Sequence, residues 1–267
     1  MLPILLKLGP ITIYSYGVFM AMGLFTGLYW FWKIGRDEHW DETQLFDTYF
    51  ASTIVFFVVS RLGYVLFHPE MHTLLSVFAI FSRPGISVIF GLMGVIATSI
   101  FIARKLEWDI WKMLDVATVV IATIFVVGSI GAVLNGSMPG IESMNLGYVH
   151  PGDVVPRLPL DILTFFWSLI SFGVVSRVRK NFRFYGWYKG GASVAKDGLT
   201  ALVGGMLFGT YLVIIGLLDD NVKKIFNVSL VSLMGTGILL LMSCMIYMRI
   251  GRNRGEGLLS RIIRKDV

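Results

Sequence analysis

The chain has 267 residues, of which 55% are hydrophobic and 15% are charged, and its mean hydropathy is +0.74. A soluble domain of this composition would expose more apolar surface than water tolerates, so the composition excludes an ordinary soluble globular protein and indicates an integral membrane protein. The net charge of +6 does not require a nucleic-acid partner, because the basic residues are concentrated on one side of the predicted membrane.

The first predicted element is a short amphipathic segment, ILLKLGPITIY at residues 4–14. We expect it to lie on the outer surface and to turn at Gly9 and Pro10 into the first span. We expect no cleavable signal peptide, because the first apolar stretch is too long and lacks a basic region followed by a small-residue cleavage site.

Seven stretches are long enough to cross a hydrocarbon core of about 30 Å. Five of them are free of Asp, Glu, Lys and Arg over residues 8–32, 84–103, 116–141, 198–218 and 225–248. The other two are weaker: one carries Asp47 and Arg61, and the other needs the stem of Arg177 to reach full length. The predicted fold class is therefore all-α: a single polytopic membrane domain, residues 1–267, with an outward-facing polar cavity. Its spans are predicted at about 11–32, 45–67, 84–103, 113–134, 160–176, 198–218 and 228–248.

Basic residues mark one set of connections. Residues 33–44, 104–112, 177–197 and the tail from Arg249 hold 17 of the 23 Lys and Arg residues. The positive-inside rule places these connections in the cytoplasm, which predicts an outer N-terminus and a cytoplasmic C-terminus. We expect the basic and aromatic run RVRKNFRFYGWYKGG to rest on anionic headgroups rather than to bind a nucleic acid.

The glycine-rich stretch VGSIGAVLNGSMPG, residues 127–140, ends the fourth span and leads into the longest outer connection, residues 135–160. Prolines and glycines follow one another closely in that connection and exclude a long helix. Non-helical backbone at membrane depth is tolerated only where protein or a wet cavity covers it. The connection is therefore expected to cap or line a cavity that opens to the outer leaflet.

Arg61 is the most informative polar residue, because an intramembrane arginine is costly and usually marks a functional site with a partner. It lies about 21 Å beyond Asp47 along the second span, hence near the outer leaflet. We expect its partner to be a lipid phosphate or one of three acids, Asp161, Glu142 and Asp153; alternatively, Arg61 snorkels to the headgroups and only sets helix depth. Ser60 and Tyr64 flank Arg61 and extend the same polar face. Tyr16, one turn into the first span, is expected either to donate its hydroxyl to a headgroup or to be a plain interfacial tyrosine.

Residue types alone reveal no metal or cofactor site. Cys244 is the single cysteine and excludes an internal disulfide or a cysteine cluster. His68 and His72 have a spacing that suits a metal, but Pro69 lies between them and no third ligand is apparent, so we interpret them as solvated. Two glycine pairs are spaced for helix packing: Gly23 with Gly27, and Gly205 with Gly209.

Four stretches, in this order and spacing, resemble prolipoprotein diacylglyceryl transferases: LGPITIYSYGVFMAMGL, SRLGYVLF, PGISVIFGLMGV and GSIGAVLNGSMPG. Those enzymes transfer the diacylglyceryl group of phosphatidylglycerol to the lipobox cysteine of a bacterial preprolipoprotein, at the outer face of the inner membrane. The resemblance implies a multi-pass bacterial inner-membrane protein without a cofactor. The implied partners are a phosphatidylglycerol-like phospholipid and a lipoprotein or another membrane protein.

The sequence departs from the family at its reactive positions. The signature after the fourth span is roughly Gly-Arg-x-Gly-Asn-x-x-Asn-Gly-Glu, and here Ser129, Ala132 and Ser137 replace its Arg, first Asn and Glu. Ile89 replaces a histidine in the third span. Tyr211 and Ile215 replace an Arg and a Glu in the sixth span. LPLDILT, residues 158–164, stands where the family has His-Pro-Ser-Gln-Leu-Tyr-Glu.

Other signature residues remain, among them Gly17 beside Tyr16 and Gly63 beside Arg61. The resemblance implies that the lipid-binding positions are Tyr16, Arg61, Tyr64, Gly128, Gly131, Asn135, Gly136 and Gly140. If the protein is active, the candidate catalytic residues are Arg61, Tyr16 and Asn135.

Transfer to a thiol needs a group that helps to form the thiolate and cations that stabilise the departing glycerol phosphate. Losing several such groups at once costs many orders of magnitude in rate. The leading hypothesis is therefore a catalytically degenerate relative that binds phospholipid or a lipoprotein, or serves as a membrane subunit of a larger complex. The alternatives are an active, diverged transferase and a small-solute transporter. The sequence shows no series of ionisable residues across the bilayer, and this counts against the transporter.

Overall fold

A computed structural model describes residues 2–8, 11–68, 85–136, 138–144, 147–149, 155–189, 197–220, 224–225 and 228–253. This part of the chain contains seven helices: α1 (Ser15–Asp37), α2 (Glu42–Leu66), α3 (Val88–Lys105), α4 (Ile110–Asn135), α5 (Leu160–Lys189), α6 (Leu199–Leu218) and α7 (Leu230–Asn253). Short strands lie between helices or before the first one: β1 (Ile4–Leu8), β2 (Ile11–Tyr14), β3 (Pro139–Glu142), β4 (Arg157–Pro159), β5 (Lys224–Ile225) and β6 (Val228–Ser229).

Six helices, α2 to α7, are long and apolar enough to cross a membrane by length and composition. The protein is therefore an all-α integral membrane protein, as its composition predicts. The remaining helix, α1, is rich in Tyr, Trp and Gly and does not belong to this group of six. The seventh span and the orientation of the chain stay predictions.

The N-terminal segment differs from the predicted entry into the first span. Residues 11–14 are not helical: β2 pairs antiparallel with β1, with Leu6 opposite Ile13 and Lys7 opposite Thr12. The β-branched run Ile-Thr-Ile favours a strand over a helix. The hairpin is fixed by backbone bonds from Leu2 N to Leu134 O and from Ser15 N to Pro3 O, so α1 begins only at Ser15.

The fifth helix is longer than predicted. The membrane-compatible part of α5 covers Leu160–Lys180, and the helix continues to Lys189. The prediction stopped at residue 176 because Arg177, Arg179 and Lys180 interrupt the apolar run. Basic residues are good helix formers, however, so their charge limits membrane depth but not helix length.

Contacts group the chain into two compact units. The first unit comprises Met1–Gly27 and Thr118–Val267, and the second comprises Leu28–Ala117. The prediction of a single membrane domain is not tested by this grouping and stays a prediction.

Small residues allow helices to approach closely in the first unit. A Cβ on Gly23 of α1 would lie 3.2 Å from the Ile124 carbonyl oxygen of α4. Between α6 and α7, a Cβ on Gly209 would lie 3.0 Å from the Gly235 oxygen, and one on Gly235 would lie 2.7 Å from the Gly209 oxygen. The predicted packing roles of Gly23 and Gly209 are thereby confirmed.

The second unit contains one turn motif twice, once between α1 and α2 and once between α3 and α4. In each copy a left-handed residue, His39 (φ 61°) or Glu107 (φ 58°), precedes a tryptophan. The two tryptophans, Trp40 and Trp108, stack with ring centroids 4.3 Å apart.

An aspartate follows the tryptophan in each copy of this turn and caps the next helix. The Asp41 carboxylate accepts from Gln44 N at 3.1 Å, and the Asp109 carboxylate accepts from Lys112 N at 2.9 Å. Four residues after each aspartate, a fully buried apolar side chain, Leu45 or Met113, packs into the core.

Candidate functional site

A stripe of polar side chains runs along one face of α5 in the first unit. Asp161, Thr164 and Ser168 are spaced by three and four residues, which places them on the same side of a helix. All three are buried, with 1%, 9% and 6% of their surface exposed. A buried polar stripe in a membrane helix needs partners, because hydrocarbon offers none.

Hydroxyl groups from two other helices provide those partners. The Ser129 hydroxyl of α4 lies 3.0 Å from the Ser168 hydroxyl. The Tyr211 hydroxyl of α6 lies 3.0 Å from the Thr164 hydroxyl. Ser129 and Tyr211 are the positions that the resemblance matches to arginines, and here both make hydrogen bonds between helices.

Asp161, in the first turn of α5, supplies the carboxylate of the stripe. Its Oδ2 accepts a hydrogen bond from the backbone N–H of Met138 at 3.1 Å, and the Leu160 N–H donates to the Met138 carbonyl at 3.2 Å. Asp161 therefore fixes the chain that leaves α4 against the start of α5. A carboxylate in the first turn also interacts favourably with the helix dipole.

The opening of the glycine-rich stretch packs against α1. A Cβ on Gly131 would lie 3.0 Å from the Tyr16 Cα and 2.8 Å from the Phe19 Cβ, and a Cβ on Gly128 would lie 2.7 Å from the Met20 sulfur. These contacts account for both glycines by helix packing. Their predicted contact with a lipid stays a prediction.

The end of the stretch turns the chain out of α4. Gly136 has a φ of 63°, in the left-handed region that favours glycine at a helix C-terminus. Gly140, in β3, is buried; a Cβ there would lie 2.8 Å from the Leu218 oxygen and 3.0 Å from the Leu158 oxygen. Asn135 is the last residue of α4 and is half-buried.

Tyr16 is the second residue of α1 and 39% of its surface is exposed. Its Cα lies against Gly131 of α4, where an added Cβ would be 3.0 Å away. Tyr16 thus lies beside α4, whereas the hydroxyls of Ser129 and Tyr211 reach the polar stripe of α5.

Arg61 lies in α2 of the second unit and only 4% of its surface is exposed. Its Nη1 donates to the Gly85 carbonyl at 2.8 Å, and Ser87 N donates to the Ser60 carbonyl at 3.0 Å. Arg61 and Ser60 therefore hold the segment that enters α3 against the last turns of α2. The Arg61 side chain is thus buried against protein backbone, and its predicted role toward a lipid stays a prediction.

Aromatic rings and glycines complete the contact between α2 and α3. A Cβ on Gly85 would overlap the Tyr64 ring at 2.3 Å, and one on Gly63 would overlap the Phe90 ring at the same distance. The Arg61 guanidinium also lies 5.9 Å from the centre of the Tyr64 ring. Arg61, Gly63 and Tyr64 of α2 thus all contact α3 or the residues that lead into it.

Two of the acids predicted as partners of Arg61 make other contacts. Glu142 lies 3.7 Å from Arg157, and Asp161 binds the Met138 N–H. Asp153 lies outside the described residues, as do Ser137 of the signature and the histidines His72 and His150.

Sequence reasoning missed Thr164, Ser168 and Arg157. The spacing of Asp161, Thr164 and Ser168 was a signal for the first two, because polar residues three and four apart in an apolar run share a helix face. Arg157 carried no such signal, since its partners Glu142 and Asp220 are distant in sequence.

Known protein sequences are similar to this chain over most of its length. The sequence model of the family described as prolipoprotein diacylglyceryl transferase matches residues 3–218, which end with α6. Enzymes named phosphatidylglycerol–prolipoprotein diacylglyceryl transferase from Francisella tularensis subsp. holarctica (strain LVS) and subsp. novicida (strain U112) are each 28% identical to the chain over 182 residues. These residues cover 65% of this chain and 68% of each relative.

Proposed function

Because the chain belongs to the prolipoprotein diacylglyceryl transferase family, we propose that it is a catalytically degenerate member, which binds phospholipid and does not transfer diacylglyceryl. Its lipid is phosphatidylglycerol-like, and its location is the inner membrane of a bacterium. A lipoprotein or another membrane protein is its further partner.

The observation that carries this proposal is the bonding of Ser129 and Tyr211. In the family, arginines at the matched positions would neutralise a phosphate. Here each position holds a hydroxyl engaged at 3.0 Å with a buried hydroxyl of α5. Uncharged, mutually bonded hydroxyls join helices, with modest stabilisation, and do not stabilise a departing anion.

The chemistry of transfer makes these losses decisive. The cysteine sulfur must lose its proton and form a bond to a glycerol carbon, while the bond from that carbon to the phosphate oxygen breaks and glycerol phosphate departs. The thiol needs a base to form the thiolate, and the leaving phosphate needs cations. The stripe offers hydroxyls and the carboxylate of Asp161, whose negative charge would oppose a departing phosphate.

The retained residues preserve the packing of the helices, which a lipid-binding member needs as much as an enzyme does. Arg61 holds the entry to α3, and Gly131 allows α4 to approach α1. Both preserve the arrangement of helices within their own units. An active, diverged transferase is the second candidate, favoured by the retention of Tyr16, Arg61 and Asn135, which would then have to carry the reaction.

Arg61→Ala separates these two candidates. The protein would be purified in mild detergent, and its bound phospholipid measured by mass spectrometry beside its release of glycerol phosphate from phosphatidylglycerol and a lipobox peptide. We expect wild type to retain phospholipid without releasing glycerol phosphate, and Arg61→Ala to retain less phospholipid. Release by wild type that Arg61→Ala abolishes would instead support the active enzyme.

Lys33→Ala is the matched control, because it also removes a cation from the second unit. Lys33 is exposed and lies over the rings of Tyr29 and Trp30. It should leave the bound phospholipid unchanged. A loss as large as that of Arg61→Ala would indicate a general effect of positive charge and count against a specific role of Arg61.

A further inference from the structure

We infer that the hairpin of β1 and β2 is an interfacial anchor that docks on the lipid leaflet at the end of α4. Its aliphatic face, which carries Leu6 and Ile13, contacts the acyl chains, and its polar face, which carries Lys7 and Thr12, contacts the headgroups. None of these four residues is a position named above for transfer or lipid binding. The inference therefore goes beyond the proposed function and does not depend on it.

The hairpin is fixed to the end of a helix that is able to cross a membrane. Leu2 N donates to the Leu134 carbonyl at 2.9 Å, next to the last residue of α4. Ser15 N donates to the Pro3 carbonyl at 3.0 Å, and the fully buried Ser15 hydroxyl donates to the Leu2 carbonyl. Because α4 is long and apolar enough to span the bilayer, its last residues and the hairpin bonded to them lie at the level of the membrane interface.

The register of the two strands separates an aliphatic face from a polar one. Leu6 lies opposite Ile13, and the next pair along the strands is Lys7 with Thr12. Successive side chains of a strand point to opposite sides of the sheet. The aliphatic pair and the polar pair therefore lie on opposite faces of the hairpin.

The aliphatic side chains of β1 are not covered by protein. Leu6 is 49% exposed, and the two residues before it, Ile4 and Leu5, are 46% and 52% exposed. Consecutive exposed aliphatic residues on an edge strand favour aggregation in water. Acyl chains remove the same residues from water without a protein partner, so the exposure of β1 favours contact with lipid.

The backbone of the hairpin limits how deeply it can enter the bilayer. Within the described residues, β1 and β2 form a sheet of only two strands, so each strand has an edge without a neighbouring strand. Open sheet edges do not occur in the hydrocarbon region, because hydrocarbon offers no partners for backbone N–H and C=O groups. The side chains thus disfavour bulk water and the backbone disfavours the bilayer core, and only the interface between them suits both.

The polar face of the hairpin suits anionic headgroups. Lys7 is exposed, and a lysine at a membrane surface extends its ammonium group to the phosphates while its stem stays on apolar surface. Tyr14, which ends β2, is 57% exposed, and exposed tyrosines are typical of the interfacial belt. A phospholipid leaflet, with phosphates above acyl chains, is therefore the partner that matches both faces.

Depth-dependent quenching tests the inference on the full chain. In a Cys244→Ala background, single cysteines would be labelled with bimane and the protein reconstituted into vesicles of phosphatidylethanolamine and phosphatidylglycerol. Spin labels on the acyl chains quench a bimane in lipid, whereas iodide on both sides of the vesicles quenches one in water. Leu6→Cys and Lys7→Cys are the matched pair, because these neighbours lie on opposite faces. We expect acyl-chain quenching to be several-fold stronger at Leu6, and iodide quenching to be several-fold stronger at Lys7.

Met93→Cys in α3 is the reference for a lipid-facing position, because Met93 is 57% exposed in a helix able to span the membrane. The label at Leu6 should resemble it. If the β1 variants do not fold, Ile13→Cys and Thr12→Cys give the same comparison on β2. Iodide quenching as strong on the aliphatic face as on the polar face would place the hairpin in water, and equal acyl-chain quenching would refute the two faces. Quenching of the Leu6 label by neither agent would show that protein covers the aliphatic face. Each of these three results would overturn the inference.

Discussion

At Gly131 the backbone of α4 meets the backbone of α1, and a single added carbon would lie 3.0 Å from the Tyr16 Cα. Neither partner can relax by turning a side chain, since the nearest atoms include backbone. Close helix packing therefore explains why glycine is present at the start of the stretch. At Gly136, glycine is favoured because a residue with a left-handed backbone conformation ends the helix.

Gly131→Ala should therefore destabilise the protein. We expect its free energy of unfolding to fall by about 1–3 kcal/mol, the usual cost of overpacking, as measured by denaturant titration in detergent micelles. Gly173→Ala in α5 is the matched control, because a Cβ there meets nothing within 4 Å; it should raise the free energy by up to about 1 kcal/mol through helix propensity. Equal effects of the two substitutions would contradict the packing role of Gly131.

The two helical turns of the second unit use the same residues in the same order. WDETQLFD and WDIWKMLD share a tryptophan, a capping aspartate, a buried apolar residue four positions after that aspartate, and a second aspartate. The left-handed residue before each tryptophan allows its N–H to reach back five residues, to Gly35 O at 3.1 Å and to Ala103 O at 2.8 Å. The second unit therefore contains two similar turns between helices, and the stacked rings of Trp40 and Trp108 join these turns.

A double-mutant cycle on Trp40→Leu and Trp108→Leu tests this pairing. Stacked rings contribute about 0.5–1.5 kcal/mol beyond their buried area, so the two substitutions together should cost less than the sum of the single ones by that amount. The free energy of unfolding is the measured quantity. Additive effects would show that the tryptophans stabilise their turns separately.

The elements show which structural features a sequence predicts and which it does not. Charge-free runs located α3, α4, α6 and α7 well, since hydrocarbon excludes charges wherever a helix crosses it. The same criterion assigned residues 11–14 to a span, because a strand can be as free of charge as a helix. The β-branched run favours a strand there, and β2 pairs with β1.

The site was less predictable than the elements. The resemblance drew attention to Ser129 and Tyr211, but each is bonded to a residue far away in sequence: Ser129 to Ser168, 39 residues on, and Tyr211 to Thr164, 47 residues back. Arg61 was expected to contact an acid or a phosphate, and the sequence did not indicate its hydrogen bond to the Gly85 carbonyl, 24 residues along the chain. Such pairs depend on helix packing, which hydropathy does not encode.

At the scale of the whole molecule, the distribution of basic residues predicts an outer N-terminus. Cys244 is the single cysteine, so a Cys244→Ala background allows one reporter cysteine at a time. A membrane-impermeant maleimide, added to intact cells, should label a cysteine at Met144, which is almost fully exposed, and should not label one at His39. The opposite pattern of labelling would reverse the predicted orientation.

Catalytic degeneracy is the central claim, and a transfer assay tests it most directly. Purified protein would be given phosphatidylglycerol and a lipobox peptide, with an authentic family transferase as the positive control, and the release of glycerol phosphate followed. We predict no release above the protein-free background, while phospholipid remains bound to the protein. Release that Tyr16→Phe or Arg61→Ala abolishes would contradict the account and establish an enzyme with a rebuilt site.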